Sequence, residues 1–255
     1  MASLPPPPYT APVTHDNGNV SLDQLLDGSV HTFLLFDRSG SMVAPVSTKK
    51  FHISRWKALQ EAAQAICGAV DKISPDGSTI VFFNDGLSTF ENMKEDQIAD
   101  LFADYQPESL TNLHDALAWT FKYIQRARRA DPDFKSLIVV VTDGSPNMGE
   151  KEIKDDKDGK IIWSNEETKV AQLIANFTHY MEEEKMIDEQ VGICLLQIGD
   201  NKRASQYLKY LDDRLKIPTY EGGFGAVFDI VSTVNFEGVE KAGGIVQALV
   251  NAFNK

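Results

Sequence analysis

The segment from Leu137 to Thr142 constrains the fold most, because it is an unbroken run of apolar and β-branched residues, Leu-Ile-Val-Val-Val-Thr. Such a run is typical of a β-strand that is covered on both faces, since a strand with one wet face alternates apolar and polar side chains. Strands of this kind occur in parallel sheets whose two faces carry helices. The rest of the chain must therefore supply helices and further strands to surround it.

Strand-like and helix-like patterns do alternate along the chain from Val30 onward. The predicted strands are residues 30–36, 79–84, 87–90, 137–142, 191–198 and 217–220, and the predicted helices are residues 54–70, 94–103, 112–129, 166–185, 204–215, 226–234 and 239–253. Asp85-Gly86 between two strand patterns is a hairpin signal. The sequence therefore predicts an α/β fold: a doubly wound, mostly parallel sheet with one antiparallel edge strand and helices on both faces.

One large domain is expected from a length of 255 residues with 42% hydrophobic residues. Residues 1–27 are interpreted as a proline-rich N-terminal arm, because Pro5 to Pro8 resist helix and central strand alike. The domain is expected to span residues 28–255. It includes an inserted hairpin at about residues 149–164, with Asp158-Gly159 at its tip, and a C-terminal helix at about residues 239–253.

The net charge indicates which classes of partner are disfavoured, and the cysteines indicate the cellular compartment. A net charge of -12 disfavours nucleic acid and anionic membrane as partners. Cys67 and Cys194 are expected to be buried thiols in a reducing compartment, and Met1 to Leu4 leads into prolines rather than into a signal segment. A cytoplasmic protein is therefore expected, of unknown oligomeric state.

Three loops carry a concentration of oxygen donors. They are residues 37–41 (Asp-Arg-Ser-Gly-Ser), residues 109–111 (Ser-Leu-Thr) and residues 142–146 (Thr-Asp-Gly-Ser-Pro). In open parallel sheets ligands bind beyond the carboxyl ends of the strands, where the first and third of these loops are expected. Carboxylates and hydroxyls without histidine or thiolate suit Mg²⁺ or Mn²⁺, and Ca²⁺ less well.

This pattern resembles the von Willebrand factor A family, also called the integrin I-like fold, over about residues 28–235. The metal-ion-dependent adhesion site of that family reads Asp-x-Ser-x-Ser, followed by a distant Thr and a distant Asp. The matching positions are Asp37, Ser39, Ser41, Thr111 and Asp143. The sequence departs from many relatives at Leu110, where they have glycine, so the threonine loop is expected to be stiffer or differently placed.

The resemblance implies a role for each matching residue. Alternate residues of an extended turn point the same way, so Ser39 and Ser41 can share one ion. By the resemblance, both would touch the metal directly. Asp37 and Asp143 would contribute directly or through water, and Thr111 would join or leave as the state changes. The implied function is that of a metal-dependent adaptor which docks an Asp or Glu of a partner protein. Single-domain intracellular relatives resemble the TerY-like proteins of bacterial stress systems, and others serve AAA+ ATPases.

Two alternatives remain open from the sequence. The first is a phosphohydrolase that uses Asp37 as nucleophile, but Ser39 stands where such enzymes need a second Asp. Neither a Gly-x-Ser-x-Gly elbow nor a Gly-Lys-Ser/Thr phosphate loop occurs in the chain. The second alternative is a scaffold of the same fold that works without metal. The sequence thus favours a binding module over an enzyme.

Overall fold

A computed structural model of the chain describes residues 30–46, 53–70, 76–149, 163–218 and 223–235. The strands are β1 (Val30–Asp37), β2 (Ser78–Phe83), β3 (Leu87–Met93), β4 (Lys135–Thr142), β5 (Val191–Gln197) and β6 (Val231–Asn235). The α-helices are α1 (Arg55–Val70), α2 (Ile98–Asp104), α3 (Leu113–Ala130), α4 (Asn165–Glu183) and α5 (Lys202–Arg214). Short 3-10 turns cover Gly40–Val43, Glu95–Gln97 and Asp188–Gln190.

Within this part of the chain the strands form a single sheet in the order β3-β2-β1-β4-β5-β6. All neighbouring pairs are parallel except β2 and β3, which form the antiparallel hairpin at Asp85-Gly86. The predicted sheet and its antiparallel edge strand are therefore confirmed. β1 and β4 lie at the centre, and the side chains of Leu137 to Thr142 are at most 1% exposed. The prediction that this run is covered on both faces is also confirmed.

The two faces of the sheet carry separate apolar layers. Successive side chains of a strand point to opposite faces, so Leu34 and Phe36 of β1 join the layer under α1 and α2. Phe33 and Leu35 join the layer under α3, α4 and α5. Because helices cover both faces, a ligand can reach the sheet itself only at its edges and at the ends of its strands.

Two predicted elements near the C-terminus are wrong. Residues 226–234 were expected to be helical, but Val231–Asn235 forms strand β6, which pairs in parallel with β5. A short apolar run is compatible with either state, and here the β-branched Ile230, Val231 and Thr233 favour the strand. The predicted strand at residues 217–220 is also wrong at Ile217 and Pro218, which lie in the turn after α5, and its other two residues fall outside the described part.

Three further predictions fall outside the described residues: the arm at residues 1–27, the inserted hairpin apart from residues 149, 163 and 164, and the C-terminal helix at residues 239–253. Cys67 and Cys194 are buried, as expected, and neither forms a disulfide. None of the helices in the described part has the length and apolar character to cross a bilayer.

Candidate metal centre

The two candidate aspartates meet because their strands are neighbours in the sheet. Asp37 is the last residue of β1, and Asp143 directly follows β4. The two strands run in parallel with Phe36 beside Val141, so their carboxyl ends reach the same edge. Asp37 is 0% and Asp143 is 1% exposed. The fold thus holds two carboxylates out of solvent at one point.

Ser39 and Ser41 connect these carboxylates. The Ser39 N–H donates to Oδ1 of Asp37 (2.8 Å), which turns the chain back over the end of β1. The hydroxyl oxygens of Ser39 and Ser41 lie 3.0 Å apart, and the Ser41 hydroxyl donates to Oδ1 of Asp143 (2.8 Å). Ser39 is buried whereas Ser41 is exposed. The loop therefore forms a continuous chain of oxygen contacts that reaches solvent at Ser41.

Backbone hydrogen bonds join the loop that carries Thr111 to the two loops that carry the other candidates. Thr111 exchanges two hydrogen bonds with Asn147, of 2.9 and 3.0 Å, in the loop that follows Asp143. The carbonyl of Ser109, a residue with φ of +65°, accepts from the N–H of Gly40 (3.0 Å). The threonine loop is therefore fixed from both sides. Leu110, the residue that departs from the family pattern, is 36% exposed.

Sequence reasoning missed Arg55, which also lies at this site. Its Nη1 donates to Oδ2 of Asp143 at 2.5 Å, and its side chain is 16% exposed. Arg55 is the first residue of α1, where the helix dipole opposes a positive charge, and the first turn of α1 holds no acidic residue. A cation at such a position is stabilised by an anionic partner from elsewhere in the fold, which the sequence does not identify.

Burial and a like charge together make Asp37 hard to ionise. Desolvation by burial and, second to it, the nearby Asp143 carboxylate raise the pKa of its carboxyl to about 6. Hydrogen bonds from Thr142 Oγ1 (2.5 Å) and from Ser39 partly oppose the shift. A cation between the two carboxylates would relieve both causes.

The donor set fits a hard divalent ion. In the part of the chain that the structure describes, no three histidine, cysteine, aspartate or glutamate side chains come together as a metal site. The set here has two carboxylates together with the hydroxyls of Ser39 and Ser41, and oxygen donors of this kind suit Mg²⁺ or Mn²⁺. Asp143 already attracts a positive group, the Arg55 guanidinium.

Solved structures of low sequence identity share this arrangement of strands and helices. The PilB minor pilin from Streptococcus sanguinis matches with a TM-score of 0.54 at 16% identity, over 89% of this chain and 60% of the pilin chain. The manganese-loaded TRAP protein of Plasmodium vivax matches with a TM-score of 0.53 at 15% identity, over 89% of this chain and 74% of that one. The fold is of the von Willebrand factor A type. No family model and no curated protein matches the sequence.

The von Willebrand factor A fold agrees with what the Asp37 to Ser41 motif implied. At identities of 16% and 15% the likeness is one of fold. The chain matches 60% of the pilin's length, so the activity and partners of the whole pilin do not carry over to this chain.

In the metal-free protein we expect stability to rise as the pH falls from about 7 to about 5. The Asp37 pKa of about 6 exceeds the ordinary value of 3.8, so the folded state takes up the proton first. The stabilisation is complete below pH 3.8 and is lost as the pH rises through about 6. The expected difference is about 1.4 kcal/mol.

Urea melts in EDTA at the two pH values measure this difference. Asp37→Asn has no proton to take up at this position. Between the two pH values, its free energy of unfolding should therefore change by about 1.4 kcal/mol less than that of the wild type. Equal pH dependence in the wild type and in Asp37→Asn would contradict the assignment to Asp37.

Proposed function

We propose that the chain is a protein-protein interaction module which holds a divalent cation with Asp37, Ser39, Ser41, Thr111 and Asp143 and docks an acidic group of a partner. The observation that carries this proposal is the chain of oxygen contacts from Ser39 through Ser41 to Asp143 (3.0 and 2.8 Å), with the buried Asp37 behind it. Hydroxyls and carboxylates so close together are suited to share one ion.

The overall charge supports an acidic partner group at this position. With a net charge of -12, most of the surface repels a carboxylate. A bound divalent ion would supply local positive charge that the two aspartates do not neutralise completely. Ser41 is exposed whereas Asp37, Ser39 and Asp143 are buried, so a ligand reaches the group from the side of Ser41.

Mg²⁺ or Mn²⁺ is the proposed ion, with Ca²⁺ less favoured. The TRAP protein of the same fold is manganese-loaded, which supports a divalent ion here. Ca²⁺ takes six to eight oxygen ligands, whereas Mg²⁺ is usually bound by few protein oxygens and keeps several waters. With the two serine hydroxyls bound directly and the aspartates able to contribute through water, the candidate residues fit the second pattern better.

A binding role rather than a catalytic one is part of the proposal. Asp37 is 0% exposed, and both of its oxygens accept hydrogen bonds, from Ser39 N–H and Thr142 Oγ1. A nucleophile must face its substrate directly, whereas a carboxylate can hold a metal from behind the serines, directly or through water. Ser39 also occupies the place of the second acid in phosphatases that work through an aspartyl-phosphate. Both features disfavour a phosphohydrolase.

We place this module in the bacterial cytoplasm as a TerY-like adaptor, in a stress-response or AAA+ ATPase-associated system. The support is the sequence resemblance and the two buried thiols, which form no disulfide. The partner is a protein, because the net charge of -12 disfavours nucleic acid and anionic membrane.

The first test of this function is a thermal melt after removal of metal with EDTA. An ion that binds only the folded state stabilises it by mass action. At a concentration of about ten times its Kd, Mg²⁺ or Mn²⁺ should add about 1.4 kcal/mol and raise the Tm by about 3 to 6 °C. The same melts with Ca²⁺ compare the ions. Identical Tm values with and without Mg²⁺ and Mn²⁺, together with no heat of binding in calorimetry, would refute the proposed site.

A further inference from the structure

Asp143 uses its two oxygens for two different partners. Oδ1 accepts from the Ser41 hydroxyl (2.8 Å), on the side of the candidate ligands. Oδ2 accepts from Nη1 of Arg55 (2.5 Å). Asp143 is 1% exposed, so its charge is balanced mainly by this guanidinium rather than by water. The chain therefore supplies its own cation to one of the proposed metal ligands.

The position of Arg55 is built into the fold. Its backbone N–H donates to the carbonyl of Ala44 (2.8 Å), which fixes the start of α1 close to the first loop. The side chain lies against the loop after β5, where Gly199 has a φ of +90°. A Cβ on Gly199 would come within 2.9 Å of Arg55 Nε. Glycine at this position thus leaves room for the guanidinium to reach Asp143.

The guanidinium is nevertheless incompletely satisfied. Arg55 Nε is buried and has no hydrogen-bond partner among the described residues. A buried donor without a partner opposes the observed position, so the attraction between Arg55 and Asp143 must outweigh it. A second cation at Asp143 would weaken that attraction.

We infer that Arg55 is an internal counter-cation, which holds the metal-free cluster together and weakens the binding of a divalent ion to Asp143. This inference rests on the proposed metal site. A divalent ion at Asp143 must either displace the guanidinium from the carboxylate or tolerate a positive charge on the same carboxylate. Both alternatives lower the affinity. The strength of metal binding is therefore set by a residue of α1 as well as by the ligands.

The test is to replace Arg55 by glutamine and to measure the affinity for Mg²⁺ and Mn²⁺ by calorimetry. Arg55→Gln should bind each ion about tenfold more tightly than the wild type. In EDTA the same variant should melt at a lower temperature, because Asp143 is left buried without its partner. Saturating Mg²⁺ should narrow that gap. The melts provide a readout that does not depend on any partner.

Two variants control for charge and for packing. Arg38→Gln removes the same charge at the same edge of the sheet, and the Arg38 side chain is similarly shielded (15% exposed), but it pairs with Glu108 rather than with a proposed ligand. Its metal affinity should change less than about threefold. Arg55→Lys keeps the positive charge, so its metal affinity should stay close to that of the wild type.

The outcomes separate this inference from the proposed function. Tighter binding by Arg55→Gln but not by Arg38→Gln supports the inference, including the case in which only Arg55→Gln binds metal measurably. A wild type that binds metal with an affinity that Arg55→Gln leaves unchanged or weakens would overturn the inference while the proposed function stands. Failure of the wild type and of Arg55→Gln alike to bind either ion would overturn both.

Discussion

A chain that carries Ser39→Ala together with Ser41→Ala is expected to lose at least about 100-fold in affinity for Mg²⁺ and Mn²⁺. Changes to groups that merely support a metal ligand already cost 10 to 100-fold, and here two proposed ligands are removed at once. Both side chains are small, but the Ser41 hydroxyl donates to the buried Asp143 carboxylate, so the metal-free fold should lose about 1 to 3 kcal/mol. Calorimetry measures the affinity, and circular dichroism confirms the fold.

Partner capture is expected to follow the metal. Wild type, wild type in EDTA and the double variant are compared as baits in extracts of the native host. The matched control is Ser88→Ala together with Ser232→Ala, which removes one hydroxyl from each edge strand, β3 and β6. A partner of the site should be retained by the metal-loaded wild type and by the control variant. It should be lost from the wild type in EDTA and from the double variant. Equal retention by the double variant and the metal-loaded wild type would place docking elsewhere.

Arg203→Ala is expected to lower the free energy of unfolding by about 3 kcal/mol, or the Tm by about 6 to 12 °C. Arg203 Nη2 lies 2.8 Å from Oε2 of Glu167, a carboxylate that is 1% exposed. The same guanidinium lies 5.5 Å from the centroid of the Trp163 ring. Without Arg203 the Glu167 charge stays buried near the start of α4. Because Arg203 is 23% exposed, water offsets part of the loss, which places the effect at the lower end for a broken buried pair.

The matched control lies on the same helix. Lys209 pairs with Asp213 at 3.3 Å, and both side chains are well exposed (76% and 48%), so Lys209→Ala should stay within about 0.5 kcal/mol of the wild type. Adding Glu167→Gln to Arg203→Ala should recover part of the loss, because the uncompensated charge disappears. Equal urea melts for the Lys209 and Arg203 variants would show that the buried pair contributes little.

The sequence predicted the sheet well where a single strand carried the whole signal. The run from Leu137 to Thr142 has enough β-branched residues to identify a covered strand without any knowledge of its neighbours. Residues 226–234 could not be identified as a strand in this way, because a short apolar run fits a helix or a strand until its pairing partner is known. Here β5 is that partner, with Ile193 beside Val231. Tertiary pairing decided what local pattern left ambiguous.

The candidate site divides in the same way. Asp37 and Asp143 could be singled out because each follows an apolar strand, and parallel strands bring their ends together. Arg55 could not, because it carries no motif of its own and no pairing of neighbouring strands brings it to Asp143, which is 88 positions away. Its contact depends on the start of α1 and on the space left at Gly199. These are properties of the packed fold rather than of a local pattern.

The reactivity of the two cysteine thiols can report when the apolar layer between α1 and the sheet opens. Cys67 on α1 and Cys194 on β5 are 0% and 1% exposed and belong to the same apolar layer. Burial raises the pKa of Cys194 to about 12, so its reactive thiolate is scarce until the layer opens. The rate of alkylation under native conditions therefore follows the transient separation of α1 from the sheet. The opposite layer, beneath α3, α4 and α5, contains no cysteine, so thiol chemistry reports on one half of the protein and is silent about the other.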